Sequence, residues 1–327
     1  MIRGILVLAA LTLVLGAHTL PAGAVDPSSQ ALEWLHAQQR SDGSFGIGGQ
    51  GSPAMTADVV YTLALIGEDP AGPHWSVNGR SALGALEALA VPYANRDAGQ
   101  AGKVARAVAS AGGNPRSFAG LDLIQVIQAA YDPSTGRYHP QLLYRHTLAI
   151  EGLLRSGQPV PERALEALLS AQLSDGGWFW SFDGVASDVD STGRVLQVLA
   201  AHAGISCVPR LYRGVDFLAT AQLEDGGWGV YSQQEPGNAN STALAIAGLK
   251  AVGADPASAR FRKGQLTPEE ALQAFQELAG SFVYTLLPGY EESRLLATLD
   301  ALNAFGQPLR QASLCTPRYL PVLLAWS

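Results

Sequence analysis

The sequence predicts an all-α protein built as an α6/α6 toroid, two concentric rings of six helices each. Three observations predict it. A block with the same polar letters recurs along the chain, the segments between blocks alternate between two kinds of helix, and six such helical pairs fit the 327 residues. Self-similar units each bury an apolar face on a neighbour, so repetition bears on architecture before any single residue is interpreted.

The block reads Gln39-Arg40-Ser41-Asp42-Gly43-Ser44-Phe45, then Gln172-Leu173-Ser174-Asp175-Gly176-Gly177-Trp178, then Gln222-Leu223-Glu224-Asp225-Gly226-Gly227-Trp228. A worn copy, Gln276 to Phe282, keeps the Gln, the Gly and the aromatic residue but loses the Asp. Another is stretched, Gln128 and Asp132 being followed by Gly136 and Tyr138, and one unit has no block at all.

Taken in order, the chain opens with Arg3, an apolar run from Ile5 to Leu15 and Ala22-Gly23-Ala24. This reads as a secretory signal peptide over 1–24, cut after Ala24. The run falls short of the ~20 residues a bilayer needs, and no later stretch is long and apolar enough, so the mature chain is expected to be exported with no transmembrane segment. The toroid is expected over 25–310 and a C-terminal tail over 311–327. A net charge of −7, from 21 Lys and Arg against 28 Asp and Glu, leaves no basic face for a nucleic acid.

Helices of the first kind precede the Gln and carry apolar residues at helical spacing with charges between, so one face is wet. They are expected near 30–39, 81–90, 119–130, 162–172, 212–222 and 268–278. Those of the second kind follow the block and are small or apolar nearly all round, as in Ser241 to Leu249, the mark of a helix buried on both sides. They are expected near 56–66, 100–111, 144–156, 191–203, 241–252 and 293–305. Ser or Thr near their starts and Gly then Pro at their ends are stop-and-start chemistry. An open array needs polar terminal caps, which neither end supplies, so the six pairs are expected to close.

The segment Arg213-Gly214-x-x-Phe217-Leu218-x-x-x-Gln222-x-x-x-Gly226-x-Trp228 resembles the QW repeat of squalene-hopene and other class II terpene cyclases, shared with protein prenyltransferase β subunits. The resemblance covers nearly the whole mature chain. It implies an α/α toroid in which Gln39, Gln172 and Gln222, with Phe45, Trp178 and Trp228, clip one outer helix to the next, the Gln amide capping backbone groups while stacking on a ring. Class II cyclases carry Asp-x-Asp-Asp at the start of an inner helix, its middle Asp protonating an alkene or epoxide. Here Asp188-Val189-Asp190-Ser191-Thr192 aligns, so the resemblance gives Asp190 the acid role with Asp188 beside it, but Ser191 replaces the third acid. The next repeat has Asn238-Ala239-Asn240 there. Asp188 and Asp190 are equally explained as residues favoured at a helix N-terminus.

Cys207 and Cys315 either form one disulfide or are two unpaired small core residues, and neither has a second Cys or His at metal-ligand spacing. No metal or other cofactor is expected. If the inner helices run the same way, their N-termini gather at one rim. A ligand-binding rim is then expected from Asp58, His146, Asn238, Asn240 and Glu292, with His146 its pH-sensitive member. The favoured function is a secreted, non-catalytic toroid that binds a small apolar or other ligand, or a protein, at that end. One alternative is a terpene cyclase-like enzyme using Asp190 as general acid. Another is a carbohydrate-active α6/α6 barrel, with paired carboxylates and an aromatic platform from Trp178, Phe179, Trp180 and Phe182.

Overall fold

Gly102 and Gly152 face each other so closely that a Cβ on the second would lie 2.6 Å from the Cα of the first. That approach sets the spacing of two neighbouring inner helices in the computed structural model, which describes residues 27–202, 209–232, 236–287 and 293–306. Among these residues there are twelve α-helices and one two-stranded hairpin. The outer helices are α1 (Pro27–Ala37), α3 (Ala82–Ala94), α5 (Leu123–Ala129), α7 (Glu162–Ser170), α9 (Pro209–Ala221) and α11 (Pro268–Gln273). The inner helices are α2 (Pro53–Leu65), α4 (Ala98–Ser110), α6 (Leu143–Arg155), α8 (Val189–Ala201), α10 (Ala239–Ala251) and α12 (Arg294–Phe305). Strands β1 (Ser76–Val77) and β2 (Arg80–Ser81) form the hairpin before α3.

The inner helices pack in sequence, α2 on α4, α4 on α6, α6 on α8, α8 on α10 and α10 on α12, and α12 returns to α2. The array is therefore a closed ring, an all-α toroid. Its closing seam joins the first and last repeats, since Gln276 Nε2 donates to Pro27 O at 2.8 Å and α1 packs on α12. The unit without a block turns from α3 into α4 through only Asn95, Arg96 and Asp97.

The repeated block has a division of labour. Each Gln amide donates twice, once to the Gly carbonyl of its own loop and once to a carbonyl at or before the next outer helix: Gln39 to Trp75 O at 2.8 Å, Gln172 to Arg210 O at 2.7 Å, Gln222 to Phe261 O at 2.8 Å. The aromatic residue stays within its own repeat. Trp178 Nε1 donates to Leu168 O and Trp228 Nε1 to Leu218 O, both at 2.8 Å, so each ring ties off the outer helix before it. Its backbone N–H donates to a Thr hydroxyl in the first turns of the following inner helix: Phe45 to Thr56, Trp178 to Thr192, Trp228 to Thr242 and Phe282 to Thr298, at 2.9 to 3.1 Å. The Asp makes the turn, Asp175 Oδ1 accepting from Gly177 N at 3.1 Å. Its neighbour Gly176 sits at φ +94 where a Cβ would strike Arg213 O at 2.4 Å, so only Gly fits.

The third repeat explains His146. Here Tyr138 takes the aromatic place, and its N–H donates to His146 Nδ1 at 3.1 Å, while His146 Nε2 lies 3.0 Å from Ala164 O. The imidazole thus occupies the Thr position of the clip. It is fully buried between Tyr138 and Phe182, away from the ring axis. The expectation of a pH-sensitive rim histidine is corrected accordingly: burial, followed by Arg137, pushes its pKa down to about 4, against one hydrogen bond to Ala164 O that favours the proton.

Among the described residues no helix is long and apolar enough to cross a membrane, and no group of acidic, His and Cys side chains could hold a metal ion. The signal peptide, the tail, Cys207, Cys315 and Glu292 lie outside the described residues.

Candidate functional site

Axis-facing residues recur along the inner helices at steps of four and three, as helical geometry requires. On α8 they are Asp190, Arg194, Gln197 and Ala201, and on α10 Asn240, Leu244, Ala247 and Ala251. They form two levels. First-turn residues of α6, α8, α10 and α12 share one cavity of about 390 Å³, so these helices begin at the same end. Residues from the middle and last turns surround a second space of only about 70 Å³ farther along the axis.

The lower level is filled by ions. Asp58 bonds Lys103 Nζ at 2.6 Å and Arg106 Nη2 at 2.8 Å, and Arg106 Nη1 reaches Glu151 at 2.6 Å. Tyr61 OH donates to Glu151 at 2.9 Å and accepts from Arg155 at 2.6 Å, with Arg106 stacked 4.4 Å above its ring. Burial alone would raise the Asp58 carboxyl, but Lys103 and Arg106 outweigh it and hold its pKa below the usual range. Burial of Glu151 is likewise overcome by Arg106 and Arg155. Asp58 is therefore not a rim residue but a member of this balanced plug, one level below the mouth.

The upper level is the mouth. Its walls include Leu143, Leu244 and Leu296 and the rings of Tyr144, Tyr231 and Trp180. Trp180 and Tyr231 stand 48% and 41% exposed at its lip, in the loops that lead into α8 and α10. The floor carries Asp188, Asp190, Arg194, Asn240 and Asp300. Asp188 is the N-cap of α8, Oδ1 accepting from Ser191 N at 2.6 Å. Asp190 sits one turn-position further in; burial pushes it up to about 6, opposed by Ser241 and reinforced by Asp188. Burial also pushes Asp300 up to about 6 against Arg194, 3.8 Å away, and Asn240, whose Nδ2 donates to it at 2.7 Å.

The expected rim thus divides. Asp188, Asp190 and Asn240 come together around the mouth. Asn238 does not join them: it caps α10, accepting from Ser241 N at 2.8 Å and donating to Ser241 Oγ at 3.0 Å. The expected aromatic platform divides too, with Trp178 sealed in the clip and Trp180 at the lip. Sequence reasoning missed Arg194, Asp300, Tyr144 and Tyr231, and all of the lower plug but Asp58. The signal was present: Lys103, Arg106, Asp300 and Glu151 are charges spaced three or four apart, or isolated, on helices otherwise small and apolar.

Against known proteins, the squalene-hopene cyclase C-terminal domain family matches residues 127–280, just under half of the chain. No curated protein matches. Among solved structures the chain is similar to the type II terpene cyclase MstE from Scytonema, at 15% identity and a TM-score of 0.62, covering 85% of this chain and 96% of that one. It is also similar to half (49%) of ent-copalyl diphosphate synthase from Streptomyces platensis, at 18% identity, a TM-score of 0.54 and 77% of this chain. A glycosidase variant superposes over 86% of this chain and 98% of its own, at 13% identity and a TM-score of 0.56. At these identities the likeness is one of fold: a single squalene-cyclase-like toroid.

Proposed function

We propose that the protein is an exported, single-toroid binding protein that takes a small molecule with an apolar body in the mouth of its ring. One observation carries the reading: a cavity of about 390 Å³, walled by Leu and aromatic side chains, opens between exposed Trp180 and Tyr231 onto a floor of buried polar groups. Small-molecule sites are concave and mostly apolar, with a few convergent polar groups that orient the ligand. Native mass spectrometry of protein purified from its own host, before and after Trp180→Ala, tests this. A retained small molecule that is lost in the variant is the expected result. Absence of any bound mass from both, together with no ligand-induced rise in melting temperature across a small-molecule panel, removes it. Export over 1–24 is part of the proposal, and N-terminal sequencing of the mature protein should begin at Val25.

A second reading is favoured by Asp190, a half-neutral carboxyl at the head of an inner helix in a type II cyclase-like fold. The acid of the motif works with a polarising carboxyl beside it, and Ser191 stands where that third acid would be; a carbocation also needs a deep apolar chamber. Beneath Asp190 the axis is occupied by Asp58, Arg106 and Glu151, and carboxylates there would capture a cationic intermediate. Incubation with squalene and with linear isoprenoid diphosphates is expected to return unchanged substrate; product that vanishes in Asp190→Asn would promote this reading over binding.

A further inference from the structure

The two levels of the axis hold the same kinds of side chain in different balance. In the lower level each buried carboxylate touches a cation: Asp58 has Lys103 and Arg106, and Glu151 shares that Arg106, at 2.6 to 2.8 Å. In the mouth three carboxyls, Asp188, Asp190 and Asp300, share a single lining cation, Arg194, and it reaches only Asp300, at 3.8 Å. Asp188 and Asp190 have no ion pair among the described residues. Three floor side chains also keep an oxygen without a hydrogen-bond partner: Asp188 Oδ2, Asp190 Oδ1 and Asn240 Oδ1. Asn240 and Asp188 are themselves 5% and 3% exposed. Each of these oxygens is an acceptor that a turn about the soft terminal torsion would present to a donor.

Resting on the binding reading above, we infer that the ligand of the mouth is an organic cation, an ammonium group carried on a ring or hydrocarbon body. The ammonium supplies the donors and the positive charge that the floor lacks, and the body lies against Leu143, Leu296 and the rings of Tyr144, Tyr231 and Trp180. Aromatic faces attract a desolvated cation as well as an apolar surface does. Anionic ligands, isoprenoid diphosphates among them, meet like charge on the floor. The aromatic wall selects an organic ammonium over a metal ion, and among the described residues no three acidic, His or Cys side chains are placed together to hold a metal.

The charged and titratable groups around the floor are Asp188, Asp190 and Arg194 from α8 and its cap, Asp300 from α12, Tyr144 from α6, and Tyr231 and Tyr284 from the loops, with Asp58 of α2 close enough for its charge to raise Asp300. Arg145, next to Tyr144, is held by Asp97 at 3.7 Å. Only the carboxyls change charge between pH 5 and 7.5, since burial lifts Asp190 and Asp300 to about 6. Cation binding should therefore strengthen as pH rises through that range.

The test is a ligand-observed NMR titration of the purified full chain with three probes of one shape: phenethylammonium, 2-phenylethanol and phenylacetate. At pH 7.5 the ammonium should bind about tenfold or more tighter than the alcohol, a difference of roughly 1.4 kcal/mol, and the carboxylate should not bind. Asp190→Asn should erase that preference while the variant keeps its helical circular dichroism, and at pH 5 the preference should shrink. Equal or tighter binding of the alcohol overturns the cation assignment, and loss of that binding in Trp180→Ala would leave the mouth standing as a neutral-ligand site. Calcium competing with the ammonium, or no ammonium binding, also overturns it.

Discussion

The wall of the ring and its axis are built on the same six inner helices, yet they use repetition in opposite ways. In the wall the chemistry recurs position by position: a Gln amide across the seam, an aromatic ring under the preceding helix, a Thr hydroxyl at the head of the next. Along the axis only the spacing recurs. At one equivalent position the six inner helices carry Asp58, Lys103, Leu148, Arg194, Leu244 and Asp300, four different residue types. Repeat identity therefore marks what closes the ring, and repeat divergence marks what fills it. The Gln amides of four repeats cross to the next outer helix in the same way, whereas the axis has only to be occupied or to be left open for a ligand.

The largest expected effect lies in the wall. Trp228 is fully buried and bonded at both its ring and its backbone, so Trp228→Ala should lower unfolding free energy by about 3–5 kcal/mol. Chemical denaturation reads this directly, and an unchanged midpoint would mean that the clip is ornamental and the comparison false.

The axis is expected to lose about as much, or slightly less, from a single change, for another reason. Arg106→Met strands Glu151 and leaves Asp58 with Lys103 alone, and should cost about 3 kcal/mol or more. The sharper experiment adds Glu151→Gln, which removes the stranded carboxylate and leaves the Asp58–Lys103 pair intact. Removing charge from both sides of a buried network is often nearly neutral, so most of the loss should return. No comparable double change should rescue Trp228→Ala. Failure of the rescue would show that the axis ions specify the ring as strictly as the wall does.

The same division decides what was legible in the sequence. The blocks, the two helix types and their six-fold count lie within local stretches of chain, so all twelve helices were expected within a few residues of where they occur. Closure followed from counting. The site was harder. Asp188, Asp190 and Asn240 could be placed because they lie at helix starts, where a cap pattern gives a position. Asp300, Arg194 and Tyr231 come from three separate elements and meet only because the ring closes, which no local window reveals. His146 was misplaced because a lone His near a helix start is the same letter whether it faces the axis or replaces a Thr in the clip. Its exchange partner becomes visible only when Tyr138 is seen to stand where Trp178 and Trp228 stand.

Asp190 separates ligand chemistry from folding. Its pKa is raised from 3.8 to about 6, so the folded state holds the proton more tightly than the unfolded chain. That preference supports the fold below pH 3.8 and is lost as pH rises through about 6, leaving a buried, unpaired carboxylate above it. Asp190→Asn should therefore stabilise the protein at pH 7.5 by up to about 3 kcal/mol and make little difference near pH 4. Urea titrations at the two pH values test it. A destabilised variant at pH 7.5 would show that Asp190 belongs with the structural wall and not with the site.

The smallest effect, on His146, asks whether the third repeat obeys the rule of the wall. The neutral imidazole accepts at Nδ1 from Tyr138 N–H and donates from Nε2 to Ala164 O, so a second proton must break the clip. Its pKa is depressed from 6.5 to about 4, and the sign is opposite to that of Asp190. The stability it supports is present above pH 6.5 and is lost as pH falls towards 4, amounting to about 2 kcal/mol already at pH 5. His146→Thr restores the hydroxyl used by the other repeats and removes that titration. The variant should be somewhat less stable than the parent at pH 7.5, because Thr leaves space beside Phe182, and should draw level or move ahead by pH 5. Parallel stability curves for the two proteins between pH 7.5 and 5 would mean that the imidazole already carries its proton, and the equivalence of His146 with Thr192 and Thr242 would fall.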